Sequence, residues 1–243
     1  LFTGANFTVD RLNLANGAGS GSATVISQWT TPWHGLEALG DMRNVALGLA
    51  VMFLAGMLAC QYFMNNIADE TLFARARRRM LTLATPFLVF FLTFFVWLLF
   101  SDGLAVDAAG RISAEPYKYL HNMLEMPYVA AALLIGVVSV LWSIYSGWRG
   151  TRNAVWFGGA GTVLTVLALL LCAGWNNTAY YPSLAENKSS LTIYNSSSSE
   201  FTLKVMSVVS LMIPFVAAYI WYAWRAMNRK PITREEIRGN DHM

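Results

Sequence analysis

Charged side chains are scarce in this 243-residue sequence. Only 13% of the residues are Asp, Glu, Lys or Arg, whereas 56% are hydrophobic and the mean hydropathy is +0.43. An ordinary soluble domain carries about 25% charged residues. The composition therefore excludes a typical soluble protein and favours a membrane protein.

Cysteine is also rare, and the two present, Cys60 and Cys172, both fall inside apolar runs. We expect them near opposite ends of two helices, separated in depth by roughly 20 Å at about 1.5 Å per residue, which excludes a disulfide bond. We interpret both as small buried hydrophobic residues. The sequence starts at Leu1 without a charged n-region or a small-residue cleavage site, so we expect no signal peptide and consider a fragment of a longer chain.

Histidine is absent from every long apolar segment, since His34, His121 and His242 all lie outside them. No imidazole is therefore predicted inside the membrane to serve as an axial haem ligand. Met57 or Met212 could ligate iron, but a single Met in an apolar helix is usually a packing residue. The segments also lack Asp, Glu, Lys and Arg at mid-membrane depth, which argues against pumping or coupled transport by these helices alone.

Five apolar segments of 20 to 24 residues are each long enough to cross a hydrocarbon core of about 30 Å. They are Asn44–Met64, Leu81–Phe100, Pro127–Trp148, Ala154–Trp175 and Leu203–Ala226. Eleven of the 17 Lys and Arg residues lie on one side of them, which is predicted to be cytoplasmic. We therefore predict an all-α fold, a polytopic membrane helix bundle of five transmembrane helices (a four-helix bundle plus one), with its N-terminus outside and its C-terminus cytoplasmic.

The chain divides into three predicted parts. Residues 1–41 form an outer loop, residues 42–226 the five-helix transmembrane domain and residues 227–243 a cytoplasmic tail. Thr31 as an N-cap and Pro32 at the first helical position predict a short helix from Pro32. Glu37 and Asp41 place favourable negative charge near that helix N-terminus.

Small residues at helical spacing predict close contacts between helices. The stripe on the third segment consists of Gly136, Ser139, Ser143 and Ser146. The stripe on the fifth segment consists of Ser207, Ser210, Pro214 and Ala217. The fourth segment carries a glycine cluster, Gly158, Gly159 and Gly161. The second segment instead carries a phenylalanine stripe, for which helix packing or lipid contact is favoured over a cofactor-lining role. Its members are Phe87, Phe90, Phe91, Phe94 and Phe95, after Pro86.

Two polar segments between the crossings remain open to several interpretations. In residues 101–126, His121 and Glu125 share a helical face and could transfer protons to the surface, although a solvated interfacial helix is favoured. Residues 174–206 are rich in serine, which is typical of a flexible tether, but a site or a lid is also considered. The predicted topology makes this second segment an outer loop, with Trp175, Tyr180 and Tyr181 as interfacial aromatic residues.

A series of motifs along the chain resembles one known family. They are PWHGLEAL (Pro32–Leu39), RNVALGLAVMFLA (Arg43–Ala55), YFMNNIADE (Tyr62–Glu70), EPYKYLHNMLEMP (Glu115–Pro127), GTVLTVLAL (Gly161–Leu169), NNTAYYPS (Asn176–Ser183), SSLTIYNSSSS (Ser189–Ser199) and IPFVAAYIWYAW (Ile213–Trp224). Together they resemble subunit II of bacterial cytochrome bd-type quinol oxidases over nearly the whole chain. That family has nine crossings and this chain resembles the last five, so the family's acidic proton-path residue has no counterpart here.

The resemblance implies a heterodimer in the bacterial cytoplasmic (inner) membrane. A haem-bearing subunit I would hold haems b and d, oxidise quinol at the outer face and reduce oxygen to water with protons taken from inside. This chain would be a non-haem-ligating, multi-pass partner that scaffolds subunit I, with a structural quinone in some members of the family. Its other expected partners are the lipid bilayer, the quinol pool and the missing N-terminal four-helix part of the same subunit, and no nucleic acid is expected.

No catalytic, cofactor-binding or metal-binding residue is expected in this chain itself. The family motifs instead mark structural or interface positions: Pro32, Trp33, Glu37, Asn65, Asn66, Asn176, Asn177, Pro182, Ser190, Leu191, Thr192 and Ile193. Two other functions remain as alternatives: a small-molecule transporter or channel subunit, and an assembly or scaffold protein without a redox partner. The first alternative requires polar or broken-helix features at the membrane midplane.

Overall fold

Long apolar helices dominate the computed structural model, which describes residues 2–12, 24–107 and 110–227. In chain order the α-helices are α1 (Met42–Asn66), α2 (Glu70–Leu99), α3 (Lys118–Glu125), α4 (Pro127–Trp148), α5 (Ala154–Gly174), α6 (Ile193–Ser196), α7 (Glu200–Ser210) and α8 (Ile213–Met227). Helices α1, α2, α4 and α5, together with the α7–α8 stretch Glu200–Ala226, are long and apolar enough to cross a membrane. The prediction of five membrane-length helices is confirmed.

Two small antiparallel sheets correct the prediction of an all-α fold. Strand β1 (Phe7–Leu12) pairs with β2 (Thr24–Trp29), and β3 (Gly103–Val106) pairs with β4 (Ile112–Glu115). The first pair lies in stretches enriched in β-branched and aromatic residues, FTVDRL and TVISQW, which pack well on a pleated surface. The protein is therefore mostly helical, with two-stranded sheets in the segments that connect the helices.

Four of the long helices pack as two antiparallel pairs, α1 with α2 and α4 with α5, and the pairs meet through α1 with α5 and α2 with α4. Phe87 and Phe94 are buried in the resulting core. Phe90, Phe91 and Phe95 pack against the same core clusters. The predicted packing role of the phenylalanine stripe is confirmed.

The small-residue stripe on α4 allows its backbone to touch α5. A Cβ atom added at Gly136 would lie 2.5 Å from Thr165 Oγ1, and one added at Gly161 would lie 2.7 Å from the carbonyl oxygen of Gly136. The predicted close contact is therefore confirmed for α4 and for Gly158 and Gly161 on α5. Gly159 is different, because a Cβ there would have no atom within 4 Å.

Two expectations about helix boundaries were wrong. Residues 32–35 form turns, and the short helix after them is a 3-10 helix, Leu36–Gly40, because His34 and Gly35 have φ angles of 48° and 90°, outside the helical range. Helix α1 then begins with Asp41 as its N-cap, which accepts from Arg43 N. The last crossing is broken at Leu211 and Met212, two residues before Pro214, whose ring cannot continue a regular helix.

The last crossing is also the least packed. No residue of α7 is buried, and the predicted contact stripe, Ser207, Ser210, Pro214 and Ala217, is fully open. Trp224 contacts the other helices, with ring centroids 6.3 Å from Tyr62 and 5.5 Å from Trp156. The close helix contact predicted for this stripe is therefore not made within the described part of the chain.

The two ends of the four packed helices differ in character. At one end, residues 2–12, 24–41, 100–107, 110–126 and 175–199 fold over the helices as a layer that we call the cap. At the other, which we call the arginine end, short turns join α1 to α2 and α4 to α5. There Arg152 approaches Glu70 at 3.8 Å and lies over the ring of Phe73. Both cysteines, one near each end, are free thiols; Cys172 is buried as predicted, whereas Cys60 is only half-buried.

Candidate functional site

The cap collects most of the residues that the sequence singled out. It contains Asn176, Asn177, Pro182, Ser190, Leu191, Thr192 and Ile193. Pro32, Trp33 and Glu37 lie at its rim, where the Trp33 side chain is exposed. Asn65 and Asn66 are separate from these, because they end α1 at the arginine end.

Asn122 lies at the centre of the cap and is fully buried on α3. Its Nδ2 donates to the carbonyl oxygen of Cys172 and to Thr178 Oγ1, both at 2.8 Å, and its Oδ1 accepts from Asn176 Nδ2 at 3.1 Å. Since a buried amide without partners is costly, these bonds hold α3, the end of α5 and the following loop together. The sequence analysis missed Asn122, although it is the only Asn in the EPYKYLHNMLEMP motif.

Asn176 and Asn177 reverse the chain after α5. Both have left-handed backbones, with φ angles of 55° and 54°, a conformation that Asn tolerates better than most residues. The chain then runs beside β3: Val106 N donates to the Asn177 carbonyl and Ala179 N to the Leu104 carbonyl, each at 2.8 Å. These two asparagines thus join the loop after α5 to the loop after α2.

The Ser190 to Ile193 segment is an ordered part of the cap. The Ser190 side chain is fully buried, and its Oγ accepts from Ser183 N at 2.9 Å. Tyr181 and Leu191 exchange backbone hydrogen bonds of 3.3 and 2.9 Å, and Asn195 Nδ2 donates to the Ser190 carbonyl at 2.8 Å. This hydrogen-bonded pairing contradicts the interpretation of a flexible tether.

The neighbouring serines also have structural roles. Thr192 and Asn195 form a capping box at α6, and Ser199 accepts from Thr202 N to cap α7. The hydroxyl groups of Ser196 and Ser197 donate to the carbonyl oxygens four residues earlier. Ser199 thus caps a helix, as its residue type favours, and Ser196 and Ser197 bond the backbone of the preceding turn.

The N-terminal segment is attached to the same loop. Ala5 N donates to the Pro182 carbonyl at 3.2 Å, and Val9 N donates to Ser189 Oγ at 3.0 Å. Ser183 Oγ donates to the Phe7 carbonyl, and the rings of Phe7 and Tyr181 stack at 5.3 Å. Residues near the start of the described chain thus meet the loop after α5 in the cap.

Glu115 forms the main ionic cluster of the cap. It bridges Lys118 Nζ at 3.0 Å and His121 Nδ1 at 2.9 Å, and the Lys118 side chain is buried. The hydrogen bond from His121, followed by that from Lys118, holds the pKa of Glu115 below its usual value, although partial burial opposes this. The less favoured alternative, a pair of His121 with Glu125, is not formed, because His121 pairs with Glu115 and Glu125 accepts from Asn176 Nδ2.

Tyr119 lies beneath this cluster and carries the largest pKa change in the cap. Burial, followed by the nearby Cys172, raises the pKa of Tyr119 to about 12. Its phenol therefore stays neutral at physiological pH and contributes as a packed ring, 5.4 Å from the ring centroid of Phe2.

A hydrogen bond between Thr31 and Glu37 lies at the rim of the cap, and the sequence had predicted another role for Thr31. Thr31 was predicted to cap a helix, but its hydroxyl donates to Glu37 Oε1. The other Glu37 oxygen is buried and has no hydrogen-bond partner among the described residues. This pair orders the turn that leads into α1.

One polar pair lies inside the helix bundle rather than in the cap. Gln61 on α1 is fully buried, and Ser143 Oγ on α4 donates to its Oε1 at 2.9 Å. Gln61 Nε2 donates to the Ser143 carbonyl at 3.3 Å and contacts Met80 Sδ at 3.5 Å. The sequence feature that indicates this pair is Gln61 itself, the single amide side chain in an otherwise apolar part of the first segment.

The central cavity of the bundle is not lined by residues suited to a haem or to the headgroup of a quinone. This cavity of about 70 Å³ is lined by aliphatic and Phe side chains plus Thr162 and Thr165, with no His, Cys, Met or Tyr to ligate iron. Both threonine hydroxyls already donate to their own helix, so neither is free for a quinone oxygen. Within the described residues no three His, Cys, Asp or Glu side chains gather into a potential metal site. His242 lies outside the described residues.

Five membrane-length helices joined by a hydrogen-bonded cap define a multi-pass membrane protein. The family model of cytochrome bd terminal oxidase subunit II matches residues 2–227, and the chain belongs to that family. It is similar to cytochrome bd-I ubiquinol oxidase subunit 2 of Escherichia coli, from strain K12, strain O6:H1 and strain O157:H7. Each is 28% identical over 194 residues, which are 74% of this chain and 49% of the relative. The chain thus spans about half the length of the curated relatives it matches.

Proposed function

We propose that this chain is the C-terminal part of subunit II of a cytochrome bd-type quinol oxidase, and that it scaffolds a haem-bearing subunit I. The observation that carries the proposal is the family match over residues 2–227. The similar E. coli proteins are named as subunits of a ubiquinol oxidase. In the complex, subunit I holds haems b and d and passes electrons from quinol to oxygen, which is reduced to water.

The composition of the bundle interior is consistent with a complex in which subunit I holds the haems and this chain holds none. The residues that line its cavity offer neither an iron ligand nor a free donor for a quinone. The work of this chain is therefore structural: the cap fixes the ends of the helices, and the Gln61–Ser143 pair fixes α1 against α4. A structural quinone, where one is present, would have to lie outside this cavity.

The unpacked last crossing supports a role in a larger assembly. Its small-residue stripe is exposed, although small residues are typical of helix contacts in membranes. The partners that we propose for the chain's exposed faces are subunit I, the missing N-terminal four-helix part of the same subunit, and lipid.

The orientation follows from the charges. The arginine end carries Arg75, Arg77, Arg78 and Arg79 on α2 and Arg149 and Arg152 after α4. The positive-inside rule places such an end in the cytoplasm. The cap then faces the outside of the bacterial cytoplasmic membrane, on the side where the family oxidises quinol.

A transporter or channel remains the alternative function, and the break at Leu211 and Met212, near the middle of the last crossing, is a feature of the kind that it requires. Such a protein needs polar groups along a hydrated path. None of the residues that line the central cavity is charged, and its two threonine hydroxyls are used within α5.

Co-purification tests the proposal. The chain, tagged at a solvent-exposed position in its native host, is purified from membranes, and the preparation is assayed by haem absorption spectrum, quinol-dependent oxygen consumption and intact mass. We expect a haem-bearing subunit to co-purify in a fixed ratio and the quinol oxidase activity to be sensitive to loss of this chain. A haem-free preparation without quinol oxidase activity would contradict the proposal, and substrate flux in liposomes containing the chain alone would favour a transporter.

A further inference from the structure

An open cleft of about 520 Å³ lies on the outer face of α2 at the arginine end. Its lining consists of Thr71, Ala74, Arg75, Arg78, Arg79 and Thr82. All six are exposed, and residues 71, 75, 78 and 82 recur at helical spacing, so they share one face. The cleft therefore concentrates three guanidinium groups on one side of a single helix.

The positive charge of this cleft is not neutralised by the described part of the chain. Among the described residues, none of its three arginines takes part in a salt bridge. The adjacent acidic groups are used elsewhere: Asp69 caps the N-terminus of α2, and Glu70 approaches Arg152 at 3.8 Å. A guanidinium stays protonated in proteins, so the cleft carries a permanent excess of positive charge.

The length of α2 places the cleft at the depth of lipid headgroups. The helix has 30 residues and is therefore about 45 Å long, whereas the hydrocarbon core is about 30 Å thick. If Met80–Leu99 fills the core, Arg75 and Arg79 lie within about 8 Å of its edge. This is the level of lipid phosphates.

We propose that the cleft binds the phosphate of an anionic phospholipid, of the phosphatidylglycerol or cardiolipin class. Planar guanidinium groups hold phosphate oxygens through paired N–H donors. Clusters of Lys and Arg next to a transmembrane helix recognise anionic lipids by the same chemistry. The methylene stems of the arginines and the apolar surface of α2 below them would contact the first part of the acyl chains.

Arg77 provides a matched control on the same helix. It adjoins Arg78 and carries the same charge, but it is half-buried and does not line the cleft. Arg78→Gln and Arg77→Gln therefore remove equal charge at nearly equal depth from two different faces. Arg78→Lys keeps the charge but removes the planar pair of donors.

The experiment measures the affinity of labelled cardiolipin and labelled phosphatidylglycerol for the chain, purified with its native partners in phosphatidylcholine nanodiscs. We expect Arg78→Gln to weaken binding about fivefold and Arg75→Gln/Arg78→Gln about 25-fold, from about 1 kcal/mol per arginine. Arg77→Gln should stay within about twofold of the unmodified protein on the same scale, and Arg78→Lys should be intermediate. The thermal unfolding midpoint verifies that each variant is folded.

Three results would overturn the proposal. Equal effects of Arg77→Gln and Arg78→Gln would indicate only general surface charge. Unchanged binding in Arg75→Gln/Arg78→Gln would mean that the lipid does not bind in the cleft. Competition by soluble glycerol phosphate at the same concentration as lipid would indicate a site for free phosphate. Because lipid binding is measured without oxidase turnover, the result does not depend on the proposed function.

Discussion

Gln61 on α1 and Ser143 on α4 hold each other by two hydrogen bonds in the interior of the helix bundle. Ser143 Oγ donates to Gln61 Oε1 at 2.9 Å, and Gln61 Nε2 donates to the Ser143 carbonyl at 3.3 Å. Both side chains are fully buried. Where neither water nor lipid can satisfy a polar group, such a pair fixes the relative position of the two helices.

Removing this pair should destabilise the bundle by a small, cooperative amount. We expect Gln61→Leu and Ser143→Ala each to cost about 0.6–1.7 kcal/mol, the range found for hydrogen bonds between membrane helices. Because the two residues share their bonds, the double variant should cost less than the sum of the single variants. Denaturant unfolding of the purified complex measures all three, and strictly additive losses would contradict the coupling.

Two adjacent glycines on α5 should respond oppositely to the same substitution. A Cβ at Gly158 would lie 2.6 Å from Ser143 Oγ and 2.7 Å from Leu58 Cδ2, whereas a Cβ at Gly159 would have no atom within 4 Å. We expect Gly158→Ala to destabilise the protein by about 1–3 kcal/mol through overpacking. Gly159→Ala should be neutral or stabilising by up to about 1 kcal/mol, because Ala favours the helix. Thermal unfolding compares them, and equal midpoints would refute the predicted helix contact.

Loss of the buried Ser190 hydroxyl should impair assembly more than chemistry. Ser190→Ala leaves Ser183 N without its partner, at a cost of about 1–3 kcal/mol. We expect a lower yield of assembled complex but unchanged turnover per haem. Ser198→Ala in the same loop is the control, because Ser198 is exposed. A normal haem content with selective loss of turnover would speak against a structural role for this segment.

The cap should lose stability as the pH falls through the titration of Glu115. The pKa of Glu115 is lowered in the folded protein by His121 and Lys118. Its stabilising contribution is therefore complete above the unfolded value, 4.5, and is lost as the pH falls towards the lower folded value. Glu115→Gln should reduce stability at pH 7, where it leaves the buried Lys118 without this partner, and should flatten the acid side of the profile.

Thermal unfolding between pH 7 and pH 3 measures this dependence. Glu186→Gln is the control, because Glu186 pairs with Lys188 at the surface, where both side chains are substantially exposed. An acid profile of Glu115→Gln identical to that of the unmodified protein would show that Glu115 does not carry the effect.

Membrane orientation can be tested with single cysteines at the two ends of the bundle. Ser198 lies in the cap and Thr151 in the turn after α4, and both are exposed. In a background in which Cys60 and Cys172 are replaced by Ala, we expect an impermeant maleimide to label Ser198→Cys in intact spheroplasts. Thr151→Cys should react only after permeabilisation, and the reverse pattern would invert the proposed topology.

The sequence predicts the helices well because each depends on a local signal. Long apolar runs identify the five membrane-length helices, and small residues at helical spacing identify the α4 contact. Pro214 was visible in the sequence, but its position inside a long apolar run concealed the break between α7 and α8.

The cap could not be predicted in the same way, because its contacts join residues that are distant in sequence. Asn122 binds groups 50 and 56 residues away, and a propensity argument does not reveal such partners. The serine-rich run illustrates the same limit, since its composition is typical of a tether while Ser199 caps α7 and Ser196 and Ser197 bond backbone carbonyls. The structural or interface role of the family-motif residues stays a prediction, and the folded chain shows only where they lie, most of them in the cap and Asn65 and Asn66 at the arginine end.

The attachment of the N-terminal segment to the loop after α5 has a consequence for biosynthesis. Val9 and Ser189, which are joined by a hydrogen bond, are 180 residues apart. At about 5–20 residues per second, roughly 10–40 s of translation separate the two. During this interval the segment around Phe7 lacks the residues that it contacts in the folded protein. The contact between the N-terminal segment and the loop after α5 therefore forms late in the maturation of the chain, after the fourth long helix has been synthesised.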